Sequence, residues 1–319
     1  MKIRLLTYES ARGPRAGIAV GPVFLDAADA TGNQADETIV GILREWDTAL
    51  PRIEAVIPRG MDSACELSGI KLLPPVLYPG TIYCAGANYK DHVTRMSEKL
   101  NLPQEPDPHL AGLMPWHFIK PSRTAIGNDG IVSVRSSKLD WEAELAVVLG
   151  RRARNVSVVD ALNYVAGYTV ANDLSARDLI MRPNVPVESP FRYDWIGQKC
   201  FDGSCPLGPF LVPAREVPDP QNLDIRLRVN GTLMQDSNTS QMIFSAAEQI
   251  AHLSSRLTLY PGDIILTGTP AGTGAEAGRF LAEGDLVTAE VDGLGALNTR
   301  IGRLHENSGC LITPYRAVR

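Results

Sequence analysis

The stretch Trp141-Glu142-Ala143-Glu144-Leu145, running on into Ala146-Val147-Val148-Leu149, constrains this chain more than any other segment. An apolar, β-branched run of that kind is what a strand buried on both faces carries. On a strand, residues i and i+2 share one side, which sets Glu142 and Glu144 about 7 Å apart along the backbone. On a helix the same spacing would turn them about 200° apart and deny them a shared ligand. Two carboxylates aimed inward from an apolar strand need neutralising. A hard divalent cation does this, and Asp173 offers a third oxygen for a ligand face that leaves room for water or substrate. Each piece also has a plainer reading. A single Glu-x-Glu is usually the charged outer face of a half-exposed strand, and Asp173 alone suits a helix N-cap over Ser175–Met181.

Strand signals dominate the rest of the chain. Tyr164–Ala171 reads as a strand, and Leu223–Val229 with Thr232–Met234 forms a hairpin around Asn230-Gly231, a pair suited to a primed turn. Ile264–Thr267 follows a Pro261-Gly262-Asp263 turn, and Leu286–Val291 runs up to Asp292-Gly293. Helices are fewer, the clearest opening at Ser245 with a Ser-x-x-Glu capping box to Glu248. Strands do not alternate regularly with helices, which argues against a doubly wound parallel sheet. With 28 glycines and 23 prolines in 319 residues, a turn-rich α+β fold dominated by strands is expected.

Residues 1–75 read as a small N-terminal α/β domain. It has short strands at Ile3–Tyr8, Ala16–Val20 and Pro22–Asp26, then helices near Thr38–Leu50 and Arg52–Leu67. The tandem prolines of Leu72–Val76 make a linker, and residues 76–319 form the main domain. Lys+Arg 31 against Asp+Glu 36 gives a net charge of −5, with no basic footprint for nucleic acid and nothing for an anionic membrane. No apolar run reaches membrane-spanning length and no secretory leader is visible, so a cytoplasmic protein is expected. The five cysteines, Cys65, Cys84, Cys200, Cys205 and Cys310, are scattered without a Cys-x-x-Cys pair, which suggests neither a zinc site nor a disulfide scaffold.

Two further residues have the chemistry of a reaction centre. His92, in Gly86–Arg95, suits general-base work near neutral pH, although a helix-face histidine is the plainer reading. Lys199, among apolar residues and glycine, would stabilise a developing oxyanion if buried. The loop Gly268-Thr-Pro-Ala-Gly-Thr-Gly274 lacks the Gly-Lys-Ser/Thr ending of a phosphate-binding loop, and Pro270 falls where a dinucleotide-binding helix would begin. It reads as a tight loop, either facing substrate or purely structural. His252 sits among Ile250, Leu253 and Leu257 as a packing residue.

Taken in order, several motifs resemble the fumarylacetoacetate hydrolase family. They are Asn88-Tyr-Lys-Asp-His92, Phe118-Ile-Lys-Pro121, Trp141–Leu145, Gly167–Asp178, Gln198–Phe201, Val229-Asn-Gly231 and Pro261–Pro270. The resemblance spans residues 75 to 302, and the N-terminal unit is similar to the small domain of bacterial-type members. It implies a mixed β-sandwich roll, a homodimer, and a Mg²⁺ site that would also take Mn²⁺ or Ca²⁺. By position, Glu142, Glu144 and Asp173 would ligate the metal, His92 would activate water, Lys199 would stabilise charge and Thr269 would contact substrate.

The activity implied is hydrolysis of a C–C bond in a β-diketo or acylpyruvate-type acid. Oxaloacetate-type decarboxylation, isomerisation or tautomerisation of dienoic diacids, and a non-catalytic metabolite-binding role are the alternatives. A keto or diketo acid would chelate the cation through two oxygens. Two positions depart from the family pattern. Arg95 stands where small hydrolytic members place a Glu that orients the base, and Ile180 stands where many carry Gln. Glu98 or a carboxylate distant in sequence would then partner His92, and Arg95 would bind a substrate carboxylate. The Ser97–Pro115 stretch sits where a lid is expected.

Overall fold

The computed structural model describes residues 2–60, 64–103 and 106–302. Cys310 and the end of the 76–319 unit lie outside them, as do residues 104 and 105 of the Ser97–Pro115 stretch.

The fold is α+β, built from two large, mainly antiparallel sheets. The larger has twelve strands, ten along one path and two, Leu72–Leu73 and Ala125–Ile126, branching from it. Its path runs from Cys65–Glu66 through Val23–Asp26, Gly13–Val20 and Ile3–Ser10 to Cys205–Pro213. It continues through Val165–Asn172, Ala143–Leu149, Ile264–Leu266 and Ile82–Ala85 to His117–Lys120. The second orders Thr232–Asn238, Asp224–Val229, Leu286–Val291, Gly295–Ile301 and Gly130–Val132. A few pairs are parallel, among them Ile264–Leu266 with Ile82–Ala85, so the roll is mixed.

The Ala143–Leu149 strand shows why the sheet packs on both faces. All seven residues are buried. Leu145, Val147 and Leu149 join the core shared with Ile225, Leu227, Val287 and Ala289 of the second sheet. Ala146 and Val148 face the opposite core with Ile42, Ile53 and Leu211. Period-2 alternation therefore serves two cores, and each fully buried Val or Leu contributes about 1.5–3 kcal/mol relative to exposure.

The N-terminal strands continue the main sheet, since Ile3–Ser10 pairs with Cys205–Pro213 at Leu5↔Leu211. Two local expectations are corrected. The helices there are Ile39–Arg44 and Trp46–Gly60, and Pro51 lies inside the second instead of separating them. The buried stripe Trp46, Ala49, Ile53 and Ile57 holds that helix through packing, which overrides the local cost of proline. Nor does it extend to Leu67, because Cys65–Glu66 is a strand paired with Val23–Phe24. The hairpin turn at Asn230-Gly231 has both φ angles positive, 50° and 78°, as a type I′ turn requires. The capping box of Ser245 and Glu248 opens the helix Ala246–Arg256.

That helix carries Gln249 and His252 against His117 of the edge strand. His117 Nε2 lies 3.4 Å from Gln249 Oε1, and the His117 and His252 rings stack at 6.1 Å. Burial, outweighing the Gln249 hydrogen bond, pushes His117 down to about 4. Between its ordinary value near 6.5 and about 4, the unfolded chain binds a proton that the folded chain refuses. Stability is therefore complete above pH about 6.5 and falls as the pH drops toward 4, by about 3 kcal/mol from this group. Urea denaturation across that range should show a shallower acid loss in His117→Gln; an unchanged slope would remove His117 as the cause.

Candidate active site

Strand register assembles the carboxylates. Ala143–Leu149 and Val165–Asn172 run antiparallel with Ala143 opposite Asn172, so Glu142 and Asp173 meet at the ends of neighbouring strands. Asp173 N–H donates to Glu142 O at 2.9 Å, and Glu142 N–H donates to Asn172 Oδ1 at 2.9 Å. Asp173 caps no helix, because Ser175–Ala176 is a strand paired with Leu139–Asp140. Glu144 completes a buried group whose candidate ligand oxygens all lie within 4.8 Å of one another.

The group's surroundings decide what it holds. Glu144 Oε2 accepts the Gly268 N–H at 2.5 Å, while its Oε1 is buried without a hydrogen bond. Glycine is required at 268: φ is +96°, and a Cβ would stand 2.7 Å from Asn88 Cβ. Lys199 Nζ donates to Glu142 Oε2 at 3.0 Å and to Asp173 Oδ2 at 2.7 Å. Burial and the charges of Asp173 and Glu142 raise the Glu144 carboxyl well above its usual range. Burial opposes ionisation of Glu142 as well, but Lys199 and Arg177 outweigh it and hold that carboxyl low. Burial likewise opposes the charge on Lys199, and Asp173 with Glu142 restores it. All-oxygen donors, with a buried Glu144 oxygen lacking any donor, fit a hard divalent cation.

Sequence reasoning gave no role to three groups that support this centre. Lys120 is fully buried, with Nζ 2.7 Å from Asp173 Oδ1, and it donates to the carbonyls of Ser204 at 2.6 Å and Leu174 at 3.1 Å. Arg177 donates from Nε to Asp140 Oδ2 at 2.9 Å and from Nη2 to Glu142 Oε1. Asp140 in turn accepts the N–H groups of Gly274 at 2.5 Å and Ala275 at 3.0 Å. Removing one partner of a buried ion pair leaves a charge uncompensated, at about 3–5 kcal/mol. Lys120→Met should lose about that much unfolding free energy in guanidinium titrations, whereas Arg226→Met at the surface should lose far less. Equal losses would contradict a structural role for Lys120.

The centre opens on a cavity of about 280 Å³ that His92, Arg177, Lys199, Gln198 and Thr269 line. His92 lies in the helix Lys90–Leu100, and its Nδ1 pairs with Glu276 Oε1. Glu276 Oε2 accepts the Gly272 N–H at 2.6 Å, so both carboxylate oxygens are engaged and the imidazole is aimed. The partner is thus a carboxylate distant in sequence. Glu98 does not reach His92; it lines a second cavity with Arg95, Lys99, Gly272 and Glu276. Arg95 lies outside the set lining the cavity of His92, so a substrate role for it would be exercised from this second cavity. An unchanged KM in Arg95→Ala would discard that role. Thr269 lines the cavity of His92 with its hydroxyl committed, donating to Ala143 O and accepting from Gln235 Nε2, both at 2.9 Å.

With this geometry established, comparison with known proteins is decisive. The model of the fumarylacetoacetate hydrolase C-terminal domain matches residues 81–302. The chain belongs to the fumarylacetoacetate hydrolase family. It is 42% identical over 313 residues to the mitochondrial oxaloacetate tautomerase fahd2 of Xenopus laevis, covering 94% of this chain and 91% of that protein. Among solved structures it resembles an HpcE-type protein from Mycobacterium smegmatis, with a TM-score of 0.77, 30% identity, and coverage of 95% and 100% of the two chains. It also resembles maleylpyruvate hydrolase from Sphingobium sp. SYK-6 in complex with manganese(II) and pyruvate, with a TM-score of 0.72, 26% identity, and coverage of 95% and 100%. This fumarylacetoacetate hydrolase family member is a metal-dependent enzyme with a divalent ion as cofactor. No described helix is long and apolar enough to cross a membrane.

Proposed function

We propose that the chain interconverts the enol and keto forms of an oxaloacetate-type 2-oxo acid. The observation that carries this reading is the 42% identity along nearly the whole chain to an oxaloacetate tautomerase. The alternatives weighed from the sequence are decarboxylation of an oxaloacetate-type acid and isomerisation or tautomerisation of a dienoic diacid. This reading joins the substrate class of the first to the reaction type of the second, and it needs no attacking water. Glu142, Glu144 and Asp173 would hold Mg²⁺ or Mn²⁺, which supplies Lewis acidity to a 2-oxo carboxylate.

The protein's own groups supply the proton chemistry. With Nδ1 held by Glu276, His92 Nε2 is the nitrogen left to exchange a proton with C3 of the substrate. In the keto-to-enol direction the C3–H electron pair becomes the C2=C3 bond and the C2 oxygen takes up charge. Lys199 spends two N–H groups on Glu142 and Asp173, leaving a third for that oxygen. Gln198 Oε1, buried without a partner, is an acceptor for the enol O–H. Homodimer assembly, a small N-terminal domain over 1–75 and a cytoplasmic location remain parts of the proposal that rest on family resemblance and sequence.

Acylpyruvate-type hydrolysis is the second reading. The His92–Glu276 pair could equally activate water, and the hydrolase complexed with manganese and pyruvate shares the fold. Product analysis separates the two readings. With Mg²⁺ the protein should speed conversion of enol-oxaloacetate to keto-oxaloacetate without CO₂ and leave an acylpyruvate intact; without Mg²⁺ the acceleration should be lost. Two carbon fragments would favour hydrolysis and CO₂ decarboxylation. Absence of turnover despite metal binding would favour a non-catalytic role.

A further inference from the structure

One wall of the cavity is apolar. Trp116, Phe118, Trp195 and Ile180 form it, and Lys199 Nζ stands 5.0 Å from the centroid of the Phe118 ring. The three rings form one cluster. Phe118 and Trp195 stack at 5.9 Å, and Trp116 lies 6.1 Å from Phe118 and 6.3 Å from Trp195. Gly86 makes room for it, because a Cβ there would stand 1.9 Å from the Trp116 ring. Trp116 and Trp195 are nonetheless 49% and 46% exposed, so the cluster presents a half-open apolar face to whatever enters.

The charged half points the same way. Arg177 is committed to Asp140 and Glu142, Lys199 to Glu142 and Asp173, and His92 to Glu276. Each cation lining the cavity is paired with one of the protein's own carboxylates, and the one N–H that Lys199 keeps is the donor for the C2 oxygen. An apolar group against the aromatic wall would be stabilised by burial.

We propose that this site also takes 2-oxo acids bearing an aromatic or bulky apolar group on C3, as in arylpyruvates, and interconverts their enol and keto forms. The ring would rest against Trp116, Phe118, Trp195 and Ile180, with the 2-oxo carboxylate end toward the acidic centre. The step moves one proton: the enol O–H bond breaks, the C2=C3 pair forms the new C3–H bond through His92, and C2=O results. No oxidant, reductant or co-substrate is consumed. The inference rests on the tautomerase reading for its chemistry, and on the wall alone for its selectivity.

The test has a binding arm and a turnover arm, both on the full chain loaded with Mn²⁺. Calorimetric titration should show phenylpyruvate binding at least about tenfold tighter than pyruvate, the margin a buried apolar group provides. Ketonisation of enol-phenylpyruvate should be accelerated. Both Ile180→Gln and Trp195→Ala should lower the ratio of kcat/KM for phenylpyruvate to that for oxaloacetate by about tenfold. Circular dichroism confirms folding, and the conservative Ile180→Leu should keep the ratio. If oxaloacetate turns over while phenylpyruvate binds no tighter than pyruvate, the inference is overturned and the tautomerase reading stands. If neither enol is ketonised, both fall. An unchanged ratio in both wall variants also overturns the inference.

Discussion

Replacing Glu144 by Gln should lower turnover about 1000-fold and remove its dependence on divalent ions, because the centre loses one of three oxygen ligands. The same substitution should stabilise the metal-free protein. Glu144 is buried beside Asp173 and Glu142, and that setting penalises its charged form. Adding metal reverses the order. At an ion concentration about 100 times the dissociation constant, wild type gains about 2.7 kcal/mol and the variant little. Thermal unfolding of both proteins, with chelator and with Mn²⁺, reads all four states. A wild type more stable than Glu144→Gln in chelator would argue against the charge crowding inferred here.

His92→Gln should cost a further large factor, about 1000-fold in kcat with KM little changed, because it removes the proton carrier and spares the groups that bind the 2-oxo carboxylate. Glu276→Gln should cost less, about 100-fold, since the imidazole survives and loses only its orienting charge. Glu276 acts through His92, so combining the two substitutions should cost no more than His92→Gln alone. Additive losses in steady-state kinetics would show Glu276 acting independently and would break the pairing.

The metal centre was legible in the sequence because it follows from local rules. A period of two puts Glu142 and Glu144 on one side, and the apolar run marks a strand buried on both faces. Asp173 was readable as a third ligand only together with that strand; alone, its side chain suggested a helix N-cap. The neighbouring residues instead pair with Leu139–Asp140, a long-range contact that no local signal announces. Glu276 lies 184 residues from His92 and sits in the short helix Gly274–Ala277 that follows the Gly268–Gly274 loop, whose glycines were visible but whose partners were not. Lys120 and Arg177 lay inside recognised motifs, yet nothing in their spacing showed that they would turn inward to balance Asp173, Asp140 and Glu142. Pro51 misled in the opposite direction, since burial of Trp46, Ala49 and Ile53 carries the helix through it.

In the proposed reaction the carboxylate centre and His92 together move a proton at C3 of a 2-oxo acid. It is tested most directly by the decay of enol-oxaloacetate absorbance, followed during a Mn²⁺ titration of chelator-treated protein alongside direct measurement of ion binding. Acceleration should rise with the same midpoint as ion occupancy and be absent in His92→Gln, which still binds the ion. Full acceleration in chelator, or undiminished acceleration in metal-loaded His92→Gln, would contradict it.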